Sequence, residues 1–561
     1  MTVTGGSAPL LRANLEALGR RDPELAARIG WPVDDRHVTT DGDGTLWYQL
    51  HQTRHRLVLG DAALAAAIAT APTDGQALVF GVGTGELITA LGAARPGLII
   101  TAWERDPWLL RLALQRQPWA EALASGTLRL RLGTDLIDDA AASDGVPAAR
   151  VILHPLLGAI YQNERPLLEP GVARRPLALV GAGGLFVDDL SSALHDEGFA
   201  TFTLDLHRLS QEELDRALRG RRPAFLAAIN YTEGLAEFAA AHGCKLLVWE
   251  IDPATSALPL CRAPTTTAHV FTYRQANVAD FHAAGFVNVT YLPLGADPQR
   301  RAPVALTSAE RARYGAPVTF VGSSLVPQRE GFRRAFTAAF AAALAEAGQP
   351  NTDGAETDVE ADAVMRDVLA EQRRDLSRYL VPSLLAARRP DLAGAVPQRL
   401  APLARLLAEL GAADKRAAAV VRLRAHQIAV WGDDGWRATP ELSAHYRGPA
   451  GHAVELTKIY NASLINLDVG RLYQNDIVTM RVFDVLCCGG FVLAEHSEAL
   501  EELFAVGSEI DCYHSLDEME AKVAHYRAHP EAAWAIAARG RQAVLGRHTI
   551  ALRVRQMLAA L

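Results

Sequence analysis

Three times along this chain a short apolar run ends in a glycine turn that opens a helical stretch. Residues 78–80 run into Gly81-Val82-Gly83-Thr84-Gly85, 177–180 into Gly181-Ala182-Gly183-Gly184, and 317–321 into Gly322-Ser323-Ser324. Strands that alternate with helices through such turns fold as parallel sheet with helices packed on its faces. The chain therefore reads as α/β, built from Rossmann-like units. Its 561 residues leave room for about three to five domains.

The pattern divides the chain into three parts. Residues 1–172 hold a βαβ unit, with strands at 78–80 and 98–103 and a helix at 107–117. Residues 173–300 alternate strands and helices throughout. Residues 301–561 repeat the theme around an Ala- and Arg-rich helical insert, 330–426, within which 351–360 reads as an exposed loop. Two tandem α/β units imply a cleft between them. Ligands of open parallel sheets sit outside the carboxyl ends of the strands, so the residues just after each strand carry the functional information.

Composition excludes several classes. Lys+Arg 56 against Asp+Glu 64 gives a net charge of −8, which argues against nucleic acid as a partner. It leaves room for a local basic cleft. Five cysteines without a Cys-x-x-Cys spacing support neither a disulfide scaffold nor a metal site. No apolar run reaches eighteen residues and the start lacks a leader pattern, so the expectation is a cytoplasmic protein with no transmembrane segment.

Four places could carry chemistry. Gly81, Gly83 and Gly85, with Glu104 at the end of the next strand, imitate a nucleotide or S-adenosylmethionine site. Methyltransferases usually carry an acid two residues before the first glycine, and Val79 stands there. The alternative is a plain strand–helix turn. Asp252 closes a buried strand and suits a general base at a cleft lip, or a cap ahead of Pro253. Gly322 and Ser323 could cradle a diphosphate with Arg329 as charge partner. The richest segment holds Arg471, Asn475, Asp476, Thr479, Arg481 and Asp484. Arg481 and Asp484 share a helix face, the helix start offers N–H groups to an anion, and a carboxylate there suits a ribose diol. The alternative is an Arg–Asp pair on a helix surface.

At this segment a resemblance emerges. Lys458-Ile-Tyr460-Asn461, Arg481-Val-Phe-Asp484-Val-Leu-Cys-Cys-Gly-Gly-Phe and Cys512-Tyr-His-Ser resemble the CgeB-like, spore-maturation-protein-type glycosyltransferases. So do Trp249-Glu-Ile-Asp252-Pro, Tyr291-Leu-Pro-Leu-Gly and Phe320-Val-Gly-Ser. The resemblance covers roughly 177–555. It implies a GT-B fold: two Rossmann-like domains facing a cleft, the first (173–300) taking the acceptor and the second (301–561) the nucleotide-sugar donor. It implies that Asp484 and Asp476 stand in the places of an acidic pair spaced by seven residues, the second acid on the ribose. Gly322, Ser323, Arg329 and Arg481 would face the diphosphate, with Lys458 and Tyr460 near the donor.

Residues 1–172 differ. Asn14-Leu-Glu-Ala-Leu, the GVGTGE turn, Trp103-Glu104-Arg105-Asp106-Pro107 and Val151-Ile-Leu-His154-Pro155 are similar to the motility-accessory-factor (MptE-like) domain, a family linked to flagellin glycosylation. The combined expectation is a glycosyltransferase acting on a protein or a surface glycan. No Asp-x-Asp pair follows a strand, so no metal or resident cofactor is expected. A methyltransferase built on Gly81–Glu104 and a non-catalytic scaffold binding through the insert are the alternatives.

Overall fold

The computed structural model describes residues 8–31, 38–50, 53–143, 147, 150–220, 222–252, 261–262, 266–348, 354–393, 400–452, 454–474 and 476–561. The chain opens with helices Ala8–Gly19 and Pro23–Ile29 and an antiparallel sheet of β1 (Val38–Thr40), β2 (Leu46–Leu50) and β3 (Thr53–Arg56). A four-stranded parallel sheet follows: β4 (Gly75–Phe80), β5 (Leu98–Glu104), β6 (Leu128–Leu132) and β7 (Val151–Leu153), ordered β6-β5-β4-β7. Ala77, Leu78, Val79 and Phe80 are all buried, as a parallel strand covered on both faces requires.

The second sheet is wholly parallel. It contains β8 (Leu177–Gly181), β9 (Ala200–Leu204), β10 (Phe225–Ile229), β11 (Lys245–Glu250), β12 (Ala268–Thr272) and β13 (Asn288–Tyr291), in the order β13-β12-β11-β10-β8-β9. The third is also parallel: β14 (Val318–Val321), β15 (Ile428–Trp431), β16 (Tyr446–Gly448), β17 (Ile465–Leu467), β18 (Val492–Glu495) and β19 (Asp511–Tyr513). Its order is β16-β15-β14-β17-β18-β19. Numbered within the sheet this is 3-2-1-4-5-6, the Rossmann order, whose winding reverses between β14 and β17. That reversal opens a crevice at the strand ends.

The crossover from β14 to β15 carries the helical insert. Its helices include Arg329–Glu346, Gly354–Gln372, Val381–Arg388 and Ala401–Arg422. They bury a core of their own, with Phe336, Phe340, Val368, Leu385 and Leu407 at its centre. The stretch 354–360, expected as loop, is helix. Ala361, Val364, Met365 and Val368 fall at helical spacing against that core, and their burial outweighs the cost of Gly354 and the acids.

Shared cores join the three parallel sheets. Trp103 of β5 packs edge-on to Phe202 of β9 with ring centroids 6.5 Å apart. Arg28, 2 % exposed, bridges Asp135 of the first module and Glu213 beside the second sheet, at 2.8 Å each. One apolar cluster holds Val180, Trp249 and Phe271 of the second sheet with Phe483, Val492 and Val544 of the third lobe. The helix Ile550–Leu558 returns to the second lobe, where Arg553 Nε donates to the Pro293 carbonyl at 2.8 Å.

Candidate functional site

The crevice of the third sheet lies between the ends of β14 and β17. Beyond β14, three successive carbonyls are each taken by a side chain. Arg481 Nε donates to Val321 O at 2.9 Å, Trp436 Nε1 to Gly322 O at 2.8 Å, and Arg416 Nη1 to Ser323 O at 2.8 Å. Gly322 is required here: a Cβ would lie 2.9 Å from Phe320 Cζ and 3.0 Å from Arg481 Nη2. The donors of the turn are occupied. Ser323 Oγ donates to Asp433 at 2.6 Å, Ser324 N at 2.8 Å, and Ser324 Oγ also donates to it. Burial pushes the Asp433 carboxyl up, but these donors prevail and hold it below its usual range.

Beyond β17, Asp468 pairs with Arg481 and accepts from Thr479 Oγ1 at 2.9 Å. Thr479 is the N-cap of helix Met480–Cys487. Arg471 Nη1 donates to Glu409 at 3.2 Å and to the Tyr473 hydroxyl at 2.8 Å. Arg405 reaches the same Glu409 at 3.5 Å and lies over the Tyr473 ring at 3.7 Å. Lys415 pairs with Glu495 at the end of β18. Arg416 makes no ion pair among the described residues; burial, then Arg481 and Arg471, pull its guanidinium down to about 9 against the attraction of Asp468 and Glu409, so it stays charged at neutral pH. Five cations thus face four carboxylates at this crevice, Asp433 included.

Other residues expected at the donor sit differently. Asp484 is buried and pairs with Arg301 Nε at 3.0 Å; burial drives its carboxyl up to about 6 against the pull of Arg301. Arg301 belongs to the segment between the lobes and also donates to His452 O at 2.9 Å. Arg481 and Asp484, three apart on one helix, therefore hold different elements. Lys458 pairs with Glu310 at 2.6 Å, and Tyr460 is buried. Arg329, 43 % exposed, reaches Asp414 at 3.2 Å. Asp476 accepts from Arg274 Nε of the second lobe. Asn475 lies outside the described residues.

Across the cleft, β10 and β11 of the second sheet end at Asn230 and Asp252. Asn230 adopts φ +60, a conformation that asparagine tolerates better than most side chains. Its Oδ1 accepts from Ile251 N at 2.9 Å, and its Nδ2 donates to Asp252 Oδ2 at 2.8 Å. Asp252 is exposed. Beside it, Glu250 is buried, and burial pushes its carboxyl up to about 7. Tyr273, also buried, is raised by burial first and then by Tyr473 and Asp252. Residues of both lobes thus converge on this edge of the cleft.

The glycine turn of the first module is closed on itself. Glu104, fully buried, accepts from Val82 N at 2.9 Å and Gly83 N at 3.0 Å, and the Tyr161 hydroxyl also donates to it. A Cβ at Gly83 would lie 2.8 Å from His154 Nε2, and one at Gly85 2.7 Å from Trp119 Cζ2. Gly81, Gly83, Gly85 and Glu104 are together, but the carboxylate serves its own loop instead of pointing outward.

Asp468, Asn230 and Arg416 are among the residues of the cleft that escaped the sequence reading. Asp468 directly follows a buried strand, the same signal that singled out Asp252. Asn230 ends a strand in the same way. Arg416 has no local signal, because it lies in an Ala-rich helix among many arginines. Among the described residues no group of three or more His, Cys, Asp or Glu could hold a metal ion, and no helix is long and apolar enough to cross a membrane.

Residues 410–559 match the family model described as glycosyl transferase-like. No curated protein matches the chain. Among solved structures, the chain is similar to Anabaena HepE in complex with UDP and glucose, at 9% identity, over 69% of this chain and 98% of that one, with a TM-score of 0.38. It is similar to sucrose-phosphate synthase from Thermosynechococcus elongatus, at 12% identity, over 69% and 98%, with a TM-score of 0.41. It is also similar to MAf glycosyltransferase from Magnetospirillum magneticum AMB-1, at 14% identity, over 53% and 58%, with a TM-score of 0.21. With two parallel α/β lobes facing a cleft, the second in Rossmann order, the chain has a fold of the GT-B type, and it carries a glycosyltransferase-like domain over 410–559.

Proposed function

We propose that this chain is a nucleotide-sugar-dependent glycosyltransferase of the CgeB-like kind, acting without a metal on a protein or glycan acceptor. The observation that carries the reading is the excess of positive charge at the β14–β17 switch point, within a stretch that overlaps the glycosyltransferase-like match. An open parallel sheet binds its nucleotide there. Sugar transfer places growing negative charge on the departing diphosphate, and fixed cations stabilise it in the transition state. Arg471 and Arg481 supply that charge, with Gly322 and Thr479 shaping the floor. Charge already fixed in the protein does the work that a divalent ion does elsewhere.

The second lobe contributes the acceptor side. The acceptor oxygen attacks the anomeric carbon, the bond from that carbon to the diphosphate oxygen breaks, and the nucleoside diphosphate leaves with the bonding electrons. Asp252 takes the acceptor proton, with Asn230 holding one of its oxygens so that the other faces the cleft. With Asp252 in this role the reaction inverts the anomeric centre. The methyltransferase reading draws no such support, because Glu104 takes the amides of its own loop.

A thermal-shift screen of the full chain against nucleoside diphosphates and nucleotide sugars tests the proposal. One class of base should raise the melting temperature by mass action, with or without EDTA. A screen in which S-adenosylmethionine alone stabilises the protein would overturn it.

A further inference from the structure

The helical insert reaches the switch point through its last helix, Ala401–Arg422. Arg405, Glu409 and Arg416 recur at intervals of four and seven, so they lie on one face. That face meets the strand ends: Glu409 accepts from Arg471 and from the Tyr473 hydroxyl, and Arg416 donates to Ser323 O. Four of the five cations here pair with a carboxylate. Arg416 is 8 % exposed, and its bond to Ser323 O is the one hydrogen bond it makes among the described residues. Its buried Nε meets no acceptor.

A guanidinium has five donors in a fixed fork, and a buried charge without a counter-ion is strongly unfavourable. One carbonyl does not account for it. A neutral donor such as Gln would hold Ser323 O equally well. The one positive charge left in excess suits an anionic group seated between Arg416 and Arg481, whose guanidinia clamp carbonyls two residues apart on the same turn.

Resting on the glycosyltransferase reading, we infer that Arg416 is a donor-site residue, through which the helical insert completes the seat of the diphosphate. The insert then belongs to the active site, and is not a separate surface for partners.

The test uses the full chain, isothermal titration and melting temperature, with inorganic pyrophosphate, UDP and GDP as probes. The parent should bind pyrophosphate and at least one of the nucleotides. Arg416→Gln should weaken both by about tenfold or more, as expected for loss of a charge-assisted pair, while its ligand-free melting temperature holds or rises. A structural clamp would show the reverse, a lowered melting temperature with unchanged affinity, and that result overturns the inference while leaving the proposed function standing. Pyrophosphate bound through Arg416, with no nucleotide or nucleotide sugar bound, would keep the anion seat and sink the transferase reading. A parent that binds none of the probes removes both. Should Arg416→Gln fail to fold, Arg416→Lys decides: it keeps the charge and loses the fork, and pyrophosphate affinity equal to the parent's would refute the inference.

Discussion

Arg274 and Asp476, 202 residues apart, join the two lobes at the mouth of the cleft: Arg274 Nε donates to both carboxylate oxygens of Asp476 at 2.8 Å. Arg274 follows β12 of the second sheet, and Asp476 lies in the loop after β17 of the third. An acid expected at the donor is thus engaged by the opposite lobe.

The pair is partly exposed, with 24 % and 30 % of the two side chains accessible, so water screens it and its contribution is about 1 kcal/mol or less. Arg274→Met and Asp476→Asn should each lower the melting temperature slightly, and the double variant should lower it no further than either alone. Full additivity of the two losses in thermal melts would mean that the contact does not act as a pair.

Asp484 behaves differently because it is buried. Asp484→Ala removes the carboxylate that pairs with Arg301, itself only 11 % exposed. Breaking a buried pair from one side costs about 3–5 kcal/mol, so this variant should lose several degrees of melting temperature before any ligand is added. Asp484→Asn keeps an acceptor for Arg301 and should lose less. If Asp484 served the donor alone, Asp484→Ala would melt like the parent and lose only nucleotide affinity.

Glu104 sets a pH dependence. Burial first, then repulsion from Asp106, raise its carboxyl from 4.5 to about 7. A carboxyl raised in the folded state stabilises the fold fully below its unfolded value and loses that contribution as pH rises through the folded one. The window therefore runs from about pH 4.5 to 7, and the shift corresponds to at most about 3 kcal/mol. Glu250 and Asp484 are raised by burial as well and act in the same direction. Glu104→Gln should flatten part of the decline in melting temperature between pH 5 and 8; an unchanged slope would remove Glu104 as its source.

How much of this was legible in the sequence depends on the range of the interaction. The turn at Gly322 was readable because a glycine follows a buried strand directly and Phe320, two residues before, crowds it locally; the crowding by Arg481 was not readable. The shared helix of Arg481 and Asp484 was readable from spacing. Their partners were not: the Val321 carbonyl and Arg301 come from other elements, and no helical period encodes them. The inward turn of Glu104 was hidden for a related reason. A carboxylate at a strand end looks the same in sequence whether it meets a ribose or the amides of Val82 and Gly83. Arg416 was lost among equivalent arginines, because its burial is decided by the packing of the whole insert.

The acceptor side yields the sharpest test of the chemistry. Asp252 is exposed and its side chain is held by Asn230 alone among the described residues. Asp252→Asn should therefore leave melting temperature and nucleotide affinity unchanged, since neither core nor crevice depends on the charge. Transfer to acceptor should fall by about 10²–10⁴-fold, the usual worth of a positioned general base. Asn230→Asp keeps a residue that tolerates φ +60 but sets a second carboxylate against Asp252, so it should shift the pH profile of turnover to higher pH, because a like charge raises a carboxyl pKa. Asn230→Ala removes the hold on Asp252 and should lower kcat with little change in nucleotide affinity. An Asp252→Asn variant that transfers sugar at the parent's rate would exclude Asp252 as the base and favour a mechanism in which the departing diphosphate takes the proton.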